Sequence, residues 1–373
     1  MKNTLIWVCP EMTPYHDVLF NEISSDPQIK LEVFSVMKPT STHPFLITAG
    51  KKYIFNFSKH KTWFDWPLFT RLINEKESSI VISSYLKPTL VLALILLGVL
   101  GLPFVYFTDT PLPNDKMWSS EREVIRPFFK RILRGLWLKW IFKHATKVLA
   151  TGKPGVDSVI RLGCPPEKAV IFPYWVDIPK VKPPEMNRSY DFLCVGQLIE
   201  RKNYKAAISA FSKLNPKNYK NKINLILIGS GPQKEELQKY CDELRIHHGK
   251  VVFRGWLDNK EIQKELKNSF ALVHPAKWEP FGVVVLEAMA QGLPILASDK
   301  TMAALDRVKD GTSGFIHQTG NVEQLTKHMN QLISNPSLVK KMRKESRKMA
   351  EKWPPSFGVK ILKGIFRMGL ERA

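Results

Sequence analysis

Patterns for metal binding and disulfide bonding are missing from this sequence. Its 373 residues include four cysteines, none in a CxxC pair, and nine histidines without an HExxH motif or a His-rich cluster. A disulfide framework and a protein-bound metal are therefore not expected, and a reducing compartment fits the cysteine usage. Repeats and low-complexity tracts are also missing, which is typical of an ordinary globular chain.

Long hydrophobic runs are scarce as well. Residues 1–8 are too few for a signal peptide. Residues 88–107 are apolar, but Gly98, Gly101 and Pro103 interrupt them, whereas a membrane span needs about 20 unbroken apolar residues. We interpret this segment as a buried helix followed by a strand, with a membrane span as the alternative.

Acidic residues are few relative to basic ones. The 34 aspartates and glutamates stand against 56 lysines and arginines, which gives a formal net charge of +22. Such a charge indicates an anionic partner, namely nucleic acid, an acidic membrane surface or a phosphorylated substrate. No nucleic-acid-binding motif or base-stacking platform accompanies the charge, so we expect no nucleic-acid partner.

Strand-like and helix-like segments alternate along the whole chain. Strands are predicted at 4–8, 31–36, 80–83, 104–107 and 147–150, and again at 191–195, 223–228, 251–253, 270–274 and 294–297. A proline-rich stretch at 173–184 separates the two sets. We therefore predict an α/β protein of two Rossmann-like doubly wound domains, over 1–178 and 185–352, with a C-terminal helix over 353–373. A ligand is expected in the cleft between them, at the carboxyl ends of the strands.

The first candidate binding segment runs from Gly196 to Lys202, directly after a strand. A glycine that leaves a strand lets the backbone approach a ligand closely. Arg201 and Lys202 follow at the carboxyl end of that strand, where two cations would hold a phosphate. A solvated basic loop is the alternative in a chain with this charge.

Two further loops follow predicted strands. Gly229-Ser230-Gly231-Pro232 is a turn with a helix behind it, but the third glycine of GxGxxG is missing. Trp256 and Leu257 follow the next strand, where a loop would lie beside a nucleobase. The alternatives are a bare turn at Gly229 and simple packing of Trp256.

The segment from Glu279 to Gly292 has the strongest pattern. Pro280 and Gly282 predict a tight entry to a helix, and Gly292 ends that helix. The N–H groups and the positive dipole end at a helix N-terminus favour a diphosphate. Glu279 precedes this terminus and Glu287 lies about 9–12 Å further along the helix axis, so one carboxylate reaches a sugar and the other a ribose. An amphipathic helix with Glu287 merely exposed is the alternative.

These segments resemble the Glu-x7-Glu region of retaining GT-B glycosyltransferases, above all glycosyltransferase family 4 (glycosyl transferases group 1). The run from Glu279 to Gly292 matches the family almost position for position. The segment 196–202, the Gly-Ser-Gly-Pro turn and Asp310-Gly-Thr-Ser-Gly-Phe315 follow in the order and spacing of the family. The resemblance covers residues 190–316 and implies a GT-B fold in which the C-terminal helix packs back on the first domain.

The resemblance also implies roles for individual residues. Arg201 and Lys202 look like the cations on the donor diphosphate, Glu279 like the acid on the transferred sugar, and Glu287 like the ribose ligand. Backbone amides for the sugar and phosphate would come from Phe281, Gly282 and Val283. The donor site would be completed by Gly196, Gly229, Trp256 and Leu257, the last two beside the base.

Several positions depart from the family pattern. Gln197 stands where arginine is common, and Asn203 replaces a common glycine. Residues 10–16 occupy the loop where relatives have a glycine pair, and Asp109 falls where many relatives have histidine. We regard Asp109 and His16 as acceptor-side candidates in the first domain.

Residues 126–147 combine cations with large aromatic rings. One broad helical face is predicted to hold Phe128, Phe129, Ile132, Leu133, Leu136, Trp137 and Trp140. Lys130, Arg131 and Arg134 lie opposite. We interpret this helix as one that lies on an anionic membrane, with a core-facing helix and a solvated back as the alternative.

The resulting hypothesis is a retaining transfer of a sugar from a UDP-sugar or GDP-sugar to a membrane-linked, polysaccharide or glycolipid acceptor, with no cofactor and no metal. The enzyme would be cytoplasmic and peripheral on the inner face of the membrane. The alternatives are another GT-B enzyme, such as a sugar-nucleotide epimerase or a phosphorylase, and a basic membrane-binding protein with a degenerate donor site.

Overall fold

The computed structural model describes residues 3–37, 52–57, 64–74, 79–85, 87–110, 128–179, 190–215 and 223–366. These residues form two compact units. The first contains the N-terminal half up to Trp175 together with the chain from Pro355 onward, and the second contains Val176–Pro354.

The first unit is built on a parallel sheet. Within the described residues it has seven strands: β1 (Asn3–Cys9), β2 (Ile29–Ser35), β3 (Ile54–Phe57), β4 (Ser79–Ile82), β5 (Val105–Thr108), β6 (Lys147–Ala150) and β7 (Ala169–Ile171). Their order is β3-β2-β1-β4-β5-β6-β7, so the chain reverses its direction of winding between β1 and β4. The carboxyl ends of all these strands lie at one edge, because every pair is parallel.

Helices connect these strands. They are α1 (Pro14–Ser24), α2 (Trp66–Asn74), α3 (Pro88–Val99), α4 (Phe128–His144) and α5 (Gly152–Arg161). Residues 88–107 therefore form a helix and most of a strand, as the interrupted pattern predicted. Among the helices of the described residues, none has the length and apolar character needed to cross a bilayer.

Apolar side chains fill both faces of the first sheet. Ile6 and Val8 pack with Leu94 of α3 and Phe142 of α4 on one side. Trp7 points to the other side, where its ring contacts those of Phe20, Phe107 and Phe172. Alternate residues of β1 thus enter two different cores, which is why this strand reads as a continuous apolar run.

The second unit repeats this architecture. In the part of the chain that the structure describes, its sheet has six parallel strands: β8 (Phe192–Val195), β9 (Ile223–Ile228), β10 (Gly249–Gly255), β11 (Ala271–His274), β12 (Ile295–Ser298) and β13 (Gly314–His317). Their order is β10-β9-β8-β11-β12-β13, with the reversal between β8 and β11. Ligands bind at such a reversal in open α/β sheets.

The helices of the second unit are α6 (Tyr204–Ser212), α7 (Lys234–Leu244), α8 (Asn259–Asn268), α9 (Val283–Ala290), α10 (Met302–Arg307), α11 (Val322–Ser334) and α12 (Pro336–Glu351). Helix α8 begins with a capping box between Asp258 and Glu261. The side chains of Asn321 and Asn335 cap α11 and α12 by accepting a hydrogen bond from a backbone N–H group of the first turn.

The last helix, α13 (Pro355–Phe366), belongs to the first unit. A Cβ on Gly358 would lie 2.9 Å from both Leu19 and Trp175, so α13 packs closely against α1. Lys363 reinforces the contact with an ion pair to Asp26, at 2.9 Å. The structure thus confirms the predicted fold class, with two doubly wound units and a C-terminal helix that returns to the first of them.

Candidate functional site

Three loops of the second unit are joined at the carboxyl edge of its sheet. The backbone N–H of Gly196 donates to Ile228 O at 2.9 Å, and that of Gly229 donates to Gly255 O at 2.7 Å. Strands β8, β9 and β10 are neighbours, so the loops that follow them meet here. The segments predicted separately from Gly196, Gly229 and Trp256 therefore form one continuous surface.

Glycine is required where these loops touch. Gly229 has a φ of +139°, and a Cβ on it would collide with the carbonyl oxygen of Gly196. Gly196 has a φ of +144°, and a Cβ there would approach the Tyr204 hydroxyl at 2.9 Å and Lys202 Cε at 3.1 Å. Gly229 therefore allows the loops after β8 and β9 to pack closely together. Gly196 leaves room for the Lys202 side chain.

A short 3-10 turn, Glu200–Lys202, carries the two predicted cations. The loop after β11 is bonded to it, because Lys277 N donates to Arg201 O at 2.8 Å and Arg201 Nη1 donates to Trp278 O at 2.9 Å. Asn203 ends the turn in the left-handed region, with φ +56°. Its side-chain amide donates to Pro275 O, in the loop after β11. Asparagine adopts this region more readily than other non-glycine residues, which explains how it replaces glycine here.

Glu279 lies at the centre of a buried charge cluster. Its Oε2 pairs with Lys202 Nζ, with Arg201 Nη1 at 3.2 Å and with His274 Nε2 at 3.4 Å. Burial alone would raise the pKa of Glu279, but Lys202, the His274 hydrogen bond and Arg201 outweigh it and hold that pKa well below its usual range. Glu279 is therefore ionised at neutral pH. It forms ion pairs with Arg201 and Lys202, the two cations predicted to bind a diphosphate.

His274 is a member of this cluster that the sequence interpretation missed. It is the last residue of β11 and is 1% exposed. Burial, and then the nearby Lys202, lower its pKa, so its neutral ring donates from Nε2 to Glu279. The sequence feature that could have identified His274 is its position as a polar residue at the carboxyl end of an otherwise apolar strand.

Helix α9 begins beside the charge cluster. Its N-cap is Gly282, with φ +94°, and a Cβ there would lie 3.0 Å from Glu279 Cγ and 3.3 Å from Thr301. The first N–H groups of a helix have no intrahelical acceptor. Val285 N donates to Gly282 O at 3.0 Å, which leaves the N–H groups of Val283 and Val284 for an anion. Phe281 is only 2% exposed, and its carbonyl accepts from Ala303 N at 2.7 Å, so its ring is buried beside the start of α9.

Glu287 lies further along α9 and accepts a hydrogen bond from the neighbouring helix α8. Gln263 Nε2 of α8 donates to Glu287 Oε1 at 3.1 Å. Burial raises the pKa of Glu287 to about 7, and the Gln263 hydrogen bond opposes that rise. Trp256 is half exposed and Leu257 is partly exposed in the loop that precedes α8.

The acceptor-side candidates lie in the first unit, at the carboxyl edge of its sheet. His16 is buried: its Nδ1 is 2.8 Å from Thr13 Oγ1, its ring stacks on Phe20, and burial lowers its pKa to about 4. Asp109, directly after β5, is hydrogen-bonded to Tyr174.

Tyr15 connects the two candidates. Its ring centroid lies 4.2 Å from that of Tyr174 and 4.9 Å from that of His16. Asp109 and Tyr174 follow β5 and β7, so only the folded sheet brings them together with α1. The two tyrosines were missed from the sequence, since neither belongs to a motif.

Comparisons with known proteins agree with this architecture. The family model described as Glycosyl transferases group 1 matches residues 178–349, and that described as Glycosyltransferase Family 4 matches residues 29–180. The lipopolysaccharide 1,6-galactosyltransferase of Salmonella typhimurium is 31% identical over 156 residues, which is 41% of this chain and 42% of that protein. The poly(glycerol-phosphate) alpha-glucosyltransferase of Bacillus subtilis is 26% identical over 48% of this chain and 26% of its own. The chain thus spans less than half the length of these curated relatives.

Solved structures show the same fold over nearly the whole chain. The lipopolysaccharide outer core galactosyltransferase WaaB aligns with a TM-score of 0.69 and 20% identity, covering 99% of this chain and 100% of that one. HepE of Anabaena in complex with UDP and glucose aligns with a TM-score of 0.72 and 15% identity, covering 98% and 99%. The two family models together match residues 29–349, so this chain belongs to glycosyltransferase family 4, and the solved structures show that it has the GT-B fold.

Proposed function

We propose that this protein is a retaining glycosyltransferase that uses a UDP-sugar or GDP-sugar and acts on a membrane-linked or saccharide acceptor. The observation that carries the proposal is the charge cluster beside the N-terminus of α9. Arg201 and Lys202 meet there with an ionised Glu279, and helix N–H groups lie next to them. Cations and a helix terminus suit a diphosphate, and a carboxylate suits sugar hydroxyls.

The diphosphate is the leaving group in the proposed reaction. Arg201, Lys202 and the α9 N-terminus would stabilise the negative charge that develops on it as the bond to the sugar breaks. The acceptor oxygen forms the new bond to the anomeric carbon on the face from which the phosphate leaves. The proton of the acceptor hydroxyl passes to the departing phosphate oxygen, so no protein general base takes part in this step.

UDP is the first donor nucleotide to test. HepE, with the same fold, has been solved with UDP and with UDP-glucose. The half-exposed Trp256 and the neighbouring Leu257 would border the base, and Glu287 would accept hydrogen bonds from the ribose. GDP is the second nucleotide to test.

A glycolipid is the proposed acceptor class. The curated relatives include lipopolysaccharide glycosyltransferases of Salmonella typhimurium and of Rhizobium meliloti. A lipid-linked acceptor is met at the surface of a bilayer, and the first unit has a surface suited to one.

That surface is formed by α4 and the end of α3. Ile132, Leu133 and Leu136 are 43%, 49% and 58% exposed, and Val99 and Leu100 are 70% and 58% exposed. The two helices are in contact, since a Cβ on Gly98 would meet the Trp140 ring. Exposed apolar side chains on a strongly basic chain favour a peripheral position on an anionic bilayer.

The predicted apolar face of α4 is divided in the structure. Its first half is exposed at Ile132, Leu133 and Leu136, whereas Trp137 and Trp140 pack partly against the core. The buried contacts of the second half are made by Leu138, Ile141 and Phe142. Residues 126 and 127 and the side chains of 128–131 lie outside the described residues, and the predicted cations Lys130 and Arg131 are among them.

The membrane proposal is tested by co-sedimentation with liposomes that contain or lack anionic lipid. The expected result is binding that falls steeply with salt, because surface charge is screened over about 10 Å at 0.1 M. Leu133→Asn with Leu136→Asn should weaken binding. Leu305→Asn, an equally exposed leucine of the second unit, is the matched control. Binding that ignores both lipid charge and the double variant would contradict the proposal.

The transferase proposal is tested with a panel of nucleotide sugars. UDP and GDP are expected to raise the melting temperature, and an acceptor should increase release of free nucleoside diphosphate and yield a glycosylated product. Conversion of the donor sugar without nucleoside diphosphate release would indicate an epimerase instead. Failure of every nucleotide to stabilise the protein would indicate a basic membrane-binding protein with a degenerate donor site.

A further inference from the structure

A chain of three side-chain groups connects α8 to α9. Gln291 Nε2 donates to Gln263 Oε1 at 3.0 Å, and Gln263 Nε2 donates to Glu287 Oε1 at 3.1 Å. Gln291 is anchored at the end of α9, where its backbone N–H donates to Glu287 O and to Ala288 O, both at 3.1 Å. The chain therefore starts at a fixed backbone position and ends on the carboxylate proposed to bind ribose.

The direction of these hydrogen bonds is determined by their last member. An ionised carboxylate only accepts, whereas a primary amide has one accepting and one donating end. When Glu287 is ionised, Gln263 must therefore turn its NH₂ group to Glu287, and its oxygen then faces the donating amide of Gln291. Turning Gln263 over would place its oxygen against the carboxylate and its NH₂ against another NH₂.

We propose that Gln263 is a positioning residue that orients Glu287 as a hydrogen-bond acceptor and thereby sets the preference of the donor site for nucleotides with intact ribose hydroxyls. The inference rests on the proposed function, in which Glu287 binds the ribose. One amide on Oε1 restrains the carboxylate but leaves it further lone pairs for hydroxyl donors. Gln291 supports the same geometry one step further away.

Helix α8 does not depend on Gln263 for its own stability. The capping box of Asp258 and Glu261 closes its N-terminus, and Leu266 anchors it in the core. Gln263 is partly exposed, and its side-chain amide forms hydrogen bonds with Glu287 and Gln291 at α9. Replacement of Gln263 by methionine, which has a similar length, should therefore leave the fold intact and remove only the two side-chain hydrogen bonds.

The experiment compares the affinities of UDP and 2′,3′-dideoxy-UDP by calorimetry, with the guanosine pair if GDP is the nucleotide bound. The ratio of the two Kd values measures recognition of the ribose hydroxyls. In the unmodified protein we expect a ratio of at least about tenfold, typical of a hydrogen bond to a charged group. Gln263→Met should reduce that ratio about three- to tenfold while leaving the dideoxy nucleotide bound as before.

Two further variants separate the possible failures. Glu287→Gln should reduce the ratio at least as much as Gln263→Met; if it retains the full ratio, the ribose role in the proposed function is wrong. Lys264→Met, the exposed neighbour on α8, should leave the ratio unchanged. A full ratio in Gln263→Met beside a reduced ratio in Glu287→Gln would overturn the positioning role alone. Equal weakening of both nucleotides by Gln263→Met would also overturn it, because a general disturbance of the pocket would then be the cause.

Discussion

Replacing Glu279 by glutamine is expected to change nucleotide binding and sugar transfer in opposite directions. In the structure the Glu279 carboxylate balances Lys202 and Arg201, the two cations that we propose bind the diphosphate. A bound diphosphate must therefore share those cations with Glu279. Glutamine keeps the shape of the side chain, removes its charge and leaves both cations to the diphosphate.

The magnitude of each effect follows from burial. Removing one partner of a buried ion pair costs about 3–5 kcal/mol. We expect the lower end of that range for the unfolding free energy of the unliganded second unit, because the Arg201 side chain is 29% exposed and remains hydrated. UDP should bind about tenfold more tightly, equivalent to about 1.4 kcal/mol. Sugar transfer should fall about a hundredfold, because an interaction with the transferred sugar worth about 2.7 kcal/mol is lost in the transition state.

The assays are urea denaturation without ligand, calorimetric titration with UDP and initial rates at saturating donor. Glu200→Gln is the matched control, since Glu200 lies on the same turn but its side chain is 66% exposed in its pair with Lys277. An exposed pair contributes at most about 1 kcal/mol, so UDP affinity and turnover should stay close to those of the unmodified protein. Parallel loss of UDP affinity and turnover in Glu279→Gln would refute the reasoning, because Glu279 would then be needed to hold the diphosphate itself.

Four other predictions concern the second unit. Arg201→Ala with Lys202→Ala should weaken UDP at least about tenfold more than uridine in competitive titration, because the proposed partners are phosphates; equal losses would indicate a damaged pocket. The preference for UDP over its dideoxy form should rise between pH 6 and 8, because burial raises the pKa of Glu287 to about 7 and the ionised form accepts hydroxyl hydrogens best; a flat profile measured calorimetrically would contradict this. Because of this raised pKa, the folded state binds a proton on the Glu287 carboxyl more tightly than the unfolded chain does. The contribution of Glu287 to the free energy of unfolding is therefore expected to fall as pH rises from 4.5 to about 7. Gly229→Ala should destabilise the second unit by more than about 2 kcal/mol in urea denaturation, since its Cβ would collide with a carbonyl, whereas Gly311→Ala, at φ +69° with no atom within 4 Å, should cost about 1 kcal/mol.

Much of the fold was predictable from local patterns. Largely apolar runs of three to six residues, separated by helical segments, indicated most strands, since a strand buried on both faces needs apolar residues at most positions. Strand β6 was predicted with its observed bounds, and β9 likewise. Three short strands were missed: β3, β7 and β13. Each is only three or four residues long and depends on a neighbouring strand for its hydrogen bonds.

The candidate donor site was predictable to a similar extent. The spacing of Glu279, Gly282 and Glu287 is a local property, because a tight turn and a helix fix where those residues lie relative to one another. The glycines that follow β8 and β9 were also visible, since a positive φ leaves few alternatives to glycine.

Only the tertiary structure determined which side chains meet. Lys202 and Glu279 are separated by 77 positions, and Gln263 and Glu287 by 24, so no periodic pattern connects them. The order β10-β9-β8-β11 brings the loops after β8 and β11 side by side and thereby creates the buried charge cluster. Likewise, the helical wheel of α4 shows which residues share a face, but only packing against α3 and the sheet decides which part of that face is buried. Local sequence thus determines the conformation of each segment, whereas contacts between distant segments depend on the strand order that the folded chain adopts.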